Sequence, residues 1–203
     1  MIITMFVNKS YLQKKYNMSF ELLNKFTYEV LPNLLNRLST DSRVRNIEVY
    51  TNDSLNKNIG FGSKVKIVKI ESSDIILYQD LIDLSIKNKS INNNEKIIVI
   101  YNPLFPFLSL DKIDIAYRKI ENAEYVSSIG VDGYYTSTIT NNNAEFFDAG
   151  IFSIFTLESY KKSNRRVNQP ILSVNLSALE LISLREKDDY ELYGLVVNSG
   201  LMK

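Results

Sequence analysis

The stretch Glu95–Ile120, EKIIVIYNPLFPFLSLDKIDIAYRKI, decides the fold of this chain. Its first part, Ile97–Ile100, is a continuous run of β-branched apolar residues, which is typical of a strand buried on both faces. Pro103 and Pro106 follow this run. Because neither proline can donate a backbone hydrogen bond, both end the strand in an extended turn. The pattern predicts a buried central strand that runs into a restricted turn.

A helix is predicted directly after the turn. Ser109 stands at an N-cap position, and Asp111 falls in the first turn, where the helix dipole favours a negative charge. Apolar residues then recur with the spacing of one helix face, at Ile113, Ala116, Tyr117 and Ile120. A strand, a turn and a helix form the βα unit of a parallel sheet. Since ligands of open α/β sheets bind at the carboxyl ends of the strands, we expect a site at Tyr101–Phe107.

Alternating strand and helix patterns extend on both sides of this unit. Asn8–Asn17 is predicted to be a polar loop, and Pro32 should kink or divide the helix that follows it. The alternation, with no repeat or linker, predicts one domain over residues 1–203, an α/β three-layer sandwich with a mostly parallel central sheet. The other predicted strands are Ile2–Val7, Arg45–Thr51, Lys64–Ile70, Tyr125–Val131 and Gly150–Phe155, and the other helices are Ser19–Leu38, Ser73–Asn88, Leu157–Lys162 and Asp188–Val197.

The order of the strands can also be predicted in part. We expect Ile97–Ile100 to lie at the centre of the sheet, because its run of apolar residues is continuous. This strand and the other short apolar strands, at Ile2–Val7, Ile47–Thr51 and Tyr125–Ile129, should be neighbouring strands of one sheet.

The composition excludes several classes of function. The chain has neither cysteine nor histidine, so disulfides, the usual zinc sites and catalysis by a cysteine or an imidazole are ruled out. A net charge of +1 argues against a nucleic-acid binder that works through bulk electrostatics. No apolar run has the length of a transmembrane segment, and Met1–Val7 is too short for a signal peptide. We therefore expect no membrane insertion and a cytoplasmic location.

Several motifs resemble those of the cytidylyltransferases that activate acidic sugars. The matching pieces are a strand, basic loop and helix at the start, then Thr51–Asp53, Asn102–Pro106 before Asp111, Ala149–Phe152, and Ser183–Arg185 before Asp189–Leu192. The chain resembles the acylneuraminate and 3-deoxy-manno-octulosonate type, including the spore-coat-polysaccharide group. This resemblance implies a nucleotidyltransferase architecture of the glycosyltransferase-A-like kind. The cytidylyltransferases of the isoprenoid pathway are also similar, with a metal-binding Asp where this chain has Asn102.

The resemblance implies a phosphate-binding loop after the first strand. Members of the family use glycines there, with an Arg and a Lys, so that backbone amides can approach a triphosphate. Asn8–Asn17 contains no glycine. Its polar side chains could either form a phosphate cradle built mainly from lysine or belong to a solvated charged loop. The candidates are Lys9, Ser10, Lys14 and Lys15.

The metal site implied by the family is missing from the sequence. The family holds Mg²⁺ with two late aspartates, and the corresponding positions are Ser183 and Arg185. Arg185 could replace the metal as a fixed cation, or it could be an exposed arginine before a helix. We therefore expect no metal site, and a need for Mg²⁺ only if the chain is an active enzyme.

Other candidates for ligand contacts surround the predicted turn. Asn102 and Pro103 could meet a base, a ribose or a sugar, or Asn102 could tie down the turn. Asp53 is either a site carboxylate or a turn residue. Tyr134 and Tyr135 could stack on a base or pack in a hairpin.

Two classes of function follow from the resemblance. In the first, which we favour because the loop glycines and both late carboxylates are missing together, the chain binds a nucleotide or sugar, or assembles with a partner, in surface-glycan synthesis without catalysis. In the second, it is an active, divergent nucleotidyltransferase that forms a CMP- or CDP-type sugar from CTP. A glycosyltransferase is a weaker alternative, because Asp111 and Asp114 have the wrong spacing for a D-x-D motif. We also expect a homodimer or hetero-complex through Gly133–Phe147 or Ser163–Gln169.

Overall fold

The computed structural model describes residues 1–52, 62–70, 80, 82–87, 96–132 and 148–200. Within these ranges seven strands form one sheet in the order β3-β2-β1-β4-β6-β5-β7. The strands are β1 (Ile2–Val7), β2 (Asn46–Thr51), β3 (Val65–Lys69), β4 (Ile97–Tyr101), β5 (Ser127–Asp132), β6 (Asp148–Thr156) and β7 (Ile171–Leu176).

The predicted central strand, β4, is the fourth of the seven strands. Ile98, Val99 and Ile100 are all fully buried, as expected for a strand covered on both faces. β1 pairs with β4 in parallel, and β2 pairs in parallel with the other edge of β1, in the parallel arrangement that the sequence predicts.

The prediction that β5 would neighbour β4 is wrong. β6 lies between them and pairs antiparallel with both strands. The apolar run of β6 was recognised as a strand from the sequence, but its direction was not. A buried strand has the same residue pattern whichever way it runs, so only pairing with its neighbours decides the direction.

The helices include one that was predicted to be a loop. Asn8–Asn17 forms α1, because the Asn8 side chain accepts a hydrogen bond from the Tyr11 amide at 2.9 Å and Asn17 ends the helix with a φ of 51°. Only Leu12 of this helix is buried, so its apolar periodicity is too weak to detect. The helices are α1 (Lys9–Tyr16), α2 (Phe20–Lys25), α3 (Leu31–Thr40), α4 (residues 82–87), α5 (Leu110–Glu121), α6 (Leu157–Ser163) and α7 (Lys187–Asn198).

Pro32 changes the hydrogen bonding of the long helical segment that contains it. A π-helical turn, Phe26–Val30, joins α2 to α3, and the Leu31 amide reaches back to the Phe26 carbonyl. Proline has no amide hydrogen and its ring crowds the preceding turn, which the wider π turn accommodates. The predicted division of this helix is therefore a change of helix type.

Apolar side chains cover both faces of the sheet. One core includes residues of α2, α3, α5 and α7, and a second includes Ile82 and Ile86 of α4 with Tyr160 of α6. This arrangement confirms the α/β sandwich with helices on both sides of a mostly parallel sheet. None of the helices in the described ranges is both long enough and apolar enough to cross a bilayer.

One difference concerns the end of the chain. β7 was not predicted, because its four half-buried residues do not form a continuous apolar run. The following residues, 177–186, form turns and irregular backbone up to the N-cap Glu186 of α7. Asp53, Tyr134, Tyr135, the segment Gly133–Phe147 and most of the predicted helix Ser73–Asn88 lie outside the described residues.

Candidate functional site

The carboxyl ends of β1, β2 and β4 meet the start of β6, and we call this region the carboxyl end of the sheet. The chain leaves the sheet here at Asn8, Asn52 and Asn102. Asn8 is only 2 % exposed and caps α1, so the first helix begins directly at the strand end. In consequence α1 takes the place of the predicted phosphate loop.

Asn102 ties the central turn to β6. Its backbone amide donates to the Ile151 carbonyl at 2.8 Å, and its side-chain Nδ2 donates to the Gly150 carbonyl at 3.0 Å. Its Oδ1 accepts from the Leu104 amide at 3.2 Å. Both ends of the side-chain amide are therefore engaged by the protein. These contacts favour the structural interpretation of Asn102 over a direct contact with a ligand.

The turn after Asn102 packs into the core. Pro103 and every residue from Leu104 to Leu108 are buried. The Tyr101 hydroxyl, itself buried, donates to the Phe105 carbonyl at 2.6 Å, and burial raises the pKa of this tyrosine. The predicted candidate Pro103 is thus a core residue that holds the floor of the region.

Arg185 connects three separate parts of the chain. Its guanidinium carbon lies 4.6 Å from the centroid of the Tyr16 ring, at the end of α1, and 6.0 Å from the centroid of the Phe105 ring, in the central turn. The adjacent Leu184 amide donates to the Leu104 carbonyl at 2.9 Å. The structure therefore brings Arg185 close to the central turn.

The guanidinium of Arg185 is exposed and keeps its hydrogen-bond donors free within the described part of the chain. Its backbone amide, by contrast, donates to Asp189 Oδ2 at 2.9 Å, as does the amide of Glu186 at 2.8 Å. The Asp189 carboxylate therefore accepts backbone hydrogen bonds at the start of α7 and belongs to the capping of that helix. An exposed guanidinium in contact with aromatic rings can still donate hydrogen bonds to an anion.

The four candidates on α1 are not equivalent. Lys15 lies 5.3 Å from the ring centroids of both Tyr11 and Tyr16, so it shares Tyr16 with Arg185. Partial burial lowers the pKa of Lys15, but its contacts with Tyr11 and Tyr16 outweigh this effect and the net shift is upward.

The remaining α1 candidates do not share the Tyr16 contact. Lys9 lies 5.4 Å from the ring centroid of Tyr28 instead. Lys14 and Ser10 are exposed on the helix surface. Lys15 and Arg185 therefore form the cationic centre of the region.

The residues described here do not fit a magnesium ion. No group of three carboxylates or other metal-binding side chains occurs in the described ranges. Ser183 is half-buried, Arg185 is itself a cation, and both polar atoms of the Asn102 side chain are bonded to the protein. Mg²⁺ needs several oxygen ligands in near-octahedral order, which this set cannot supply.

Tyr16 was not selected from the sequence as a site residue. It was hidden in a stretch assigned to a loop, and the only signal was an aromatic residue among lysines next to Asn17. The backbones of Asp132 and Asp148 also reach the carboxyl end of the sheet, where Asp148 pairs with Val131. No sequence pattern linked these two aspartates before their strands were paired.

Neither protein-family models nor curated protein sequences match this chain. Solved structures do. The 4-diphosphocytidyl-2C-methyl-D-erythritol synthase of Anaerococcus prevotii DSM 20548 has a TM-score of 0.62 at 11% identity, with coverage of 97% of this chain and 95% of that one. The 2-C-methyl-D-erythritol 4-phosphate cytidylyltransferase of Francisella tularensis has a TM-score of 0.60 at 14% identity, with coverage of 96% and 98%.

A cytidylyltransferase from Leptospira borgpetersenii serovar Hardjo-bovis is similar as well, with a TM-score of 0.61 at 14% identity and coverage of 97% of this chain and 86% of that one. These likenesses confirm the predicted nucleotidyltransferase-like fold. At such low identity they carry the fold alone. Two of the three proteins are named for methylerythritol compounds, so the specific resemblance to enzymes of acidic sugars stays a prediction.

Proposed function

We propose that this chain binds a nucleotide or nucleotide-sugar at the carboxyl end of its sheet without transferring the nucleotide. In this role it serves as a binding or assembly subunit of surface-glycan synthesis in the cytoplasm. The phosphates of the ligand lie against Arg185 and Lys15, and no metal takes part.

The observation that carries this proposal is the placement of Arg185 over Tyr16 and Phe105. Contact with the two rings limits the movement of the guanidinium, and its donors stay free, among the described residues, for bidentate hydrogen bonds to phosphate. Lys15, on the same tyrosine ring, adds a second positive charge. A fixed cation would also repel a divalent metal from this position, which supports binding without catalysis.

A second candidate is the active, divergent nucleotidyltransferase that forms a CMP- or CDP-type sugar from CTP. It is favoured by the backbone position of Asp132 and Asp148 at the same end of the sheet. With Asp53, a candidate from the sequence alone, these aspartates lie at positions other than 183 and 185, where the family resemblance implies the metal ligands. Mg²⁺ belongs to this candidate alone.

Calorimetric titration with CTP, with and without Mg²⁺, tests the proposal, together with an assay of pyrophosphate release in the presence of acidic sugars. We expect CTP to bind equally well in EDTA and in Mg²⁺, with no pyrophosphate released. Arg185→Gln should weaken binding at least about tenfold, because it removes charged hydrogen bonds to phosphate. Arg118→Gln, at an exposed arginine outside this region and outside the proposed interface segments, is the matched control and should leave the affinity unchanged.

The two candidates give different results in these assays. Pyrophosphate release that depends on Mg²⁺ would establish the active enzyme in place of the binding protein. Absence of any heat with CTP would contradict nucleotide binding at this site.

We also propose that the chain pairs with itself or with a partner through Gly133–Phe147 or Ser163–Gln169. Light scattering at increasing protein concentration measures the oligomeric state.

A further inference from the structure

A cleft of about 390 Å³ lies between the end of α3, the start of α5 and the turn after β7. Its lining combines two arginines with two aspartates and several apolar side chains. We propose that this cleft is a second ligand site, which binds a small carboxylate with a compact apolar body. The lining residues are Arg37, Thr40, Asp41, Arg43, Phe107, Leu108, Ser109, Leu110, Asp111 and Leu179.

The cleft is separate from the cationic centre of the strand ends. Arg43 lies just before β2, and its carbonyl accepts a hydrogen bond of 2.9 Å from the amino group of Met1, just before β1. This wall of the cleft therefore belongs to the amino ends of the strands. Arg185 and Tyr16 lie at the opposite end and do not line the cleft.

Arg43 has its charge neutralised within the cleft. Its Nε and Nη2 donate to the Asp41 carboxylate at 2.9 and 2.6 Å, and its Nη1 donates to Asp111 Oδ1 at 2.6 Å. The hydrogen bonds from Arg43 lower the pKa of Asp41 to about 2. Arg43 therefore shapes the wall and does not offer a free positive charge.

Arg37 differs from Arg43 in this respect. It is half-buried, and its Nη2 donates to the Pro106 carbonyl at 2.6 Å. Within the described part of the chain no carboxylate pairs with it. Because a partly buried guanidinium has lost some of its hydration, a charged partner inside the cleft would be favourable. Arg37 therefore selects an anionic group.

The apolar side chains and Asp111 in the cleft lining determine the size, polarity and charge of the ligand that would fit. Phe107 and Leu108 are buried, while Leu179 is 37 % exposed at the mouth. Leu179 and the half-buried Leu110 offer an apolar surface beside the charged group, and the volume suits a compact organic molecule more than a lone ion. The exposed Asp111 carboxylate would repel a ligand with several negative charges. A monoanionic carboxylate on an apolar ring or short chain fits this combination.

Titrations with sodium benzoate and with benzamide test the proposal, because these molecules share a shape and differ in charge. Binding is followed by amide shifts in an NMR spectrum, at constant ionic strength. We expect saturable shifts at Ser109, Leu110 and Asp111 with benzoate, and an affinity for benzamide at least about tenfold weaker. Inorganic phosphate, which has charge without an apolar body, should also bind more weakly than benzoate.

Substitutions of Arg37 test whether the NMR shifts with benzoate depend on this residue. Arg37→Gln should weaken benzoate binding at least about tenfold. Arg37→Lys should lose less of the affinity for benzoate, because it keeps the positive charge. Arg118→Gln, on the same helix as Asp111 but outside the cleft lining, is the control and should bind like the unchanged protein. Equal binding of benzoate and benzamide, or shifts that do not saturate in the unchanged protein, would overturn the proposal. Unaltered benzoate binding by a folded Arg37→Gln variant would do so too.

Discussion

The guanidinium carbon of Arg185 lies 4.6 Å from the ring centroid of Tyr16, although the two residues come from opposite ends of the chain. This contact closes α1 against the segment that leads into α7. The sequence pattern predicted α1 to be a loop and Arg185 to be a candidate ligand contact. The contact between Arg185 and Tyr16 therefore serves both the packing of α1 and the proposed binding of phosphate.

Replacing Arg185 by Ala should loosen α1. A partly exposed contact between a cation and an aromatic ring contributes about 1 kcal/mol, so amide hydrogen exchange in Lys9–Tyr16 should become about fivefold faster. Exchange in β1 should not change. Arg118→Ala provides the control for the loss of one exposed arginine. Equal protection of α1 in both variants would mean that the contact with Tyr16 does not hold the helix.

The double variant Ser183→Asp with Arg185→Asp tests whether missing carboxylates explain missing catalysis. These are the positions at which the family resemblance implies metal-binding aspartates. We expect no pyrophosphate release from CTP by the unchanged protein. The double variant should bind CTP more tightly in Mg²⁺ than in EDTA, because two carboxylates replace a cation at the position where the metal would sit.

Ser183→Asn with Arg185→Gln is the neutral control for this variant, since it removes the cation without adding carboxylates. If the neutral variant gains Mg²⁺ dependence equally, loss of repulsion accounts for the effect. Turnover by the unchanged protein would contradict the proposed loss of catalysis. Inactivity of both the unchanged protein and the double aspartate variant would indicate that α1 in place of a glycine loop is an independent obstacle.

Val99→Asp should unfold the protein. Val99 is fully buried in the central strand, where a carboxylate has no partner and must either lose its hydration or bind a proton. We expect a loss of at least about 4 kcal/mol in the free energy of unfolding, measured by denaturant titration. Ile115→Asp, on the exposed face of α5, is the matched control and should change stability by about 0.5 kcal/mol or less.

Glu180 should stabilise the fold in a manner that depends on pH. Burial would raise the pKa of this carboxyl, but hydrogen bonds from Lys112, Ser177 and Ser109 outweigh burial and hold the pKa below its usual range. Its Oε2 lies 2.5 Å from Lys112 Nζ and 2.8 Å from the Ser177 amide. Glu180→Gln should cost about 2 to 3 kcal/mol at pH 7, because Lys112 loses its partner.

The sign of the pH effect follows from the lowered pKa. A carboxyl group with a lower pKa in the folded state contributes its full stabilisation above its unfolded pKa and loses it as the pH falls. The difference in unfolding free energy between the unchanged protein and Glu180→Gln should therefore be largest near pH 7 and shrink below about pH 4. Glu158→Gln, at an exposed ion pair, should show a much smaller difference. A difference that stays constant with pH would contradict this role of Glu180.

Local patterns determined the main elements of the fold. The apolar run Ile97–Ile100 identified the central strand, since a parallel strand covered on both faces has no polar positions. The N-cap Ser109 and the apolar spacing after it located the start of α5. Composition alone ruled out chemistry based on cysteine or histidine. These properties depend on residues close together in the chain, so the sequence by itself was sufficient.

Only the tertiary structure decided which residues meet. The direction of β6 depends on pairing between strands, and the capping of α1 by Asn8 depends on where β1 ends. The stacking of Arg185 on Tyr16 and the position of Arg37 in a cleft join residues far apart in the chain. Such contacts are chosen by packing, which no local pattern encodes, because the same short sequence of residues can face a partner or solvent according to the fold around it.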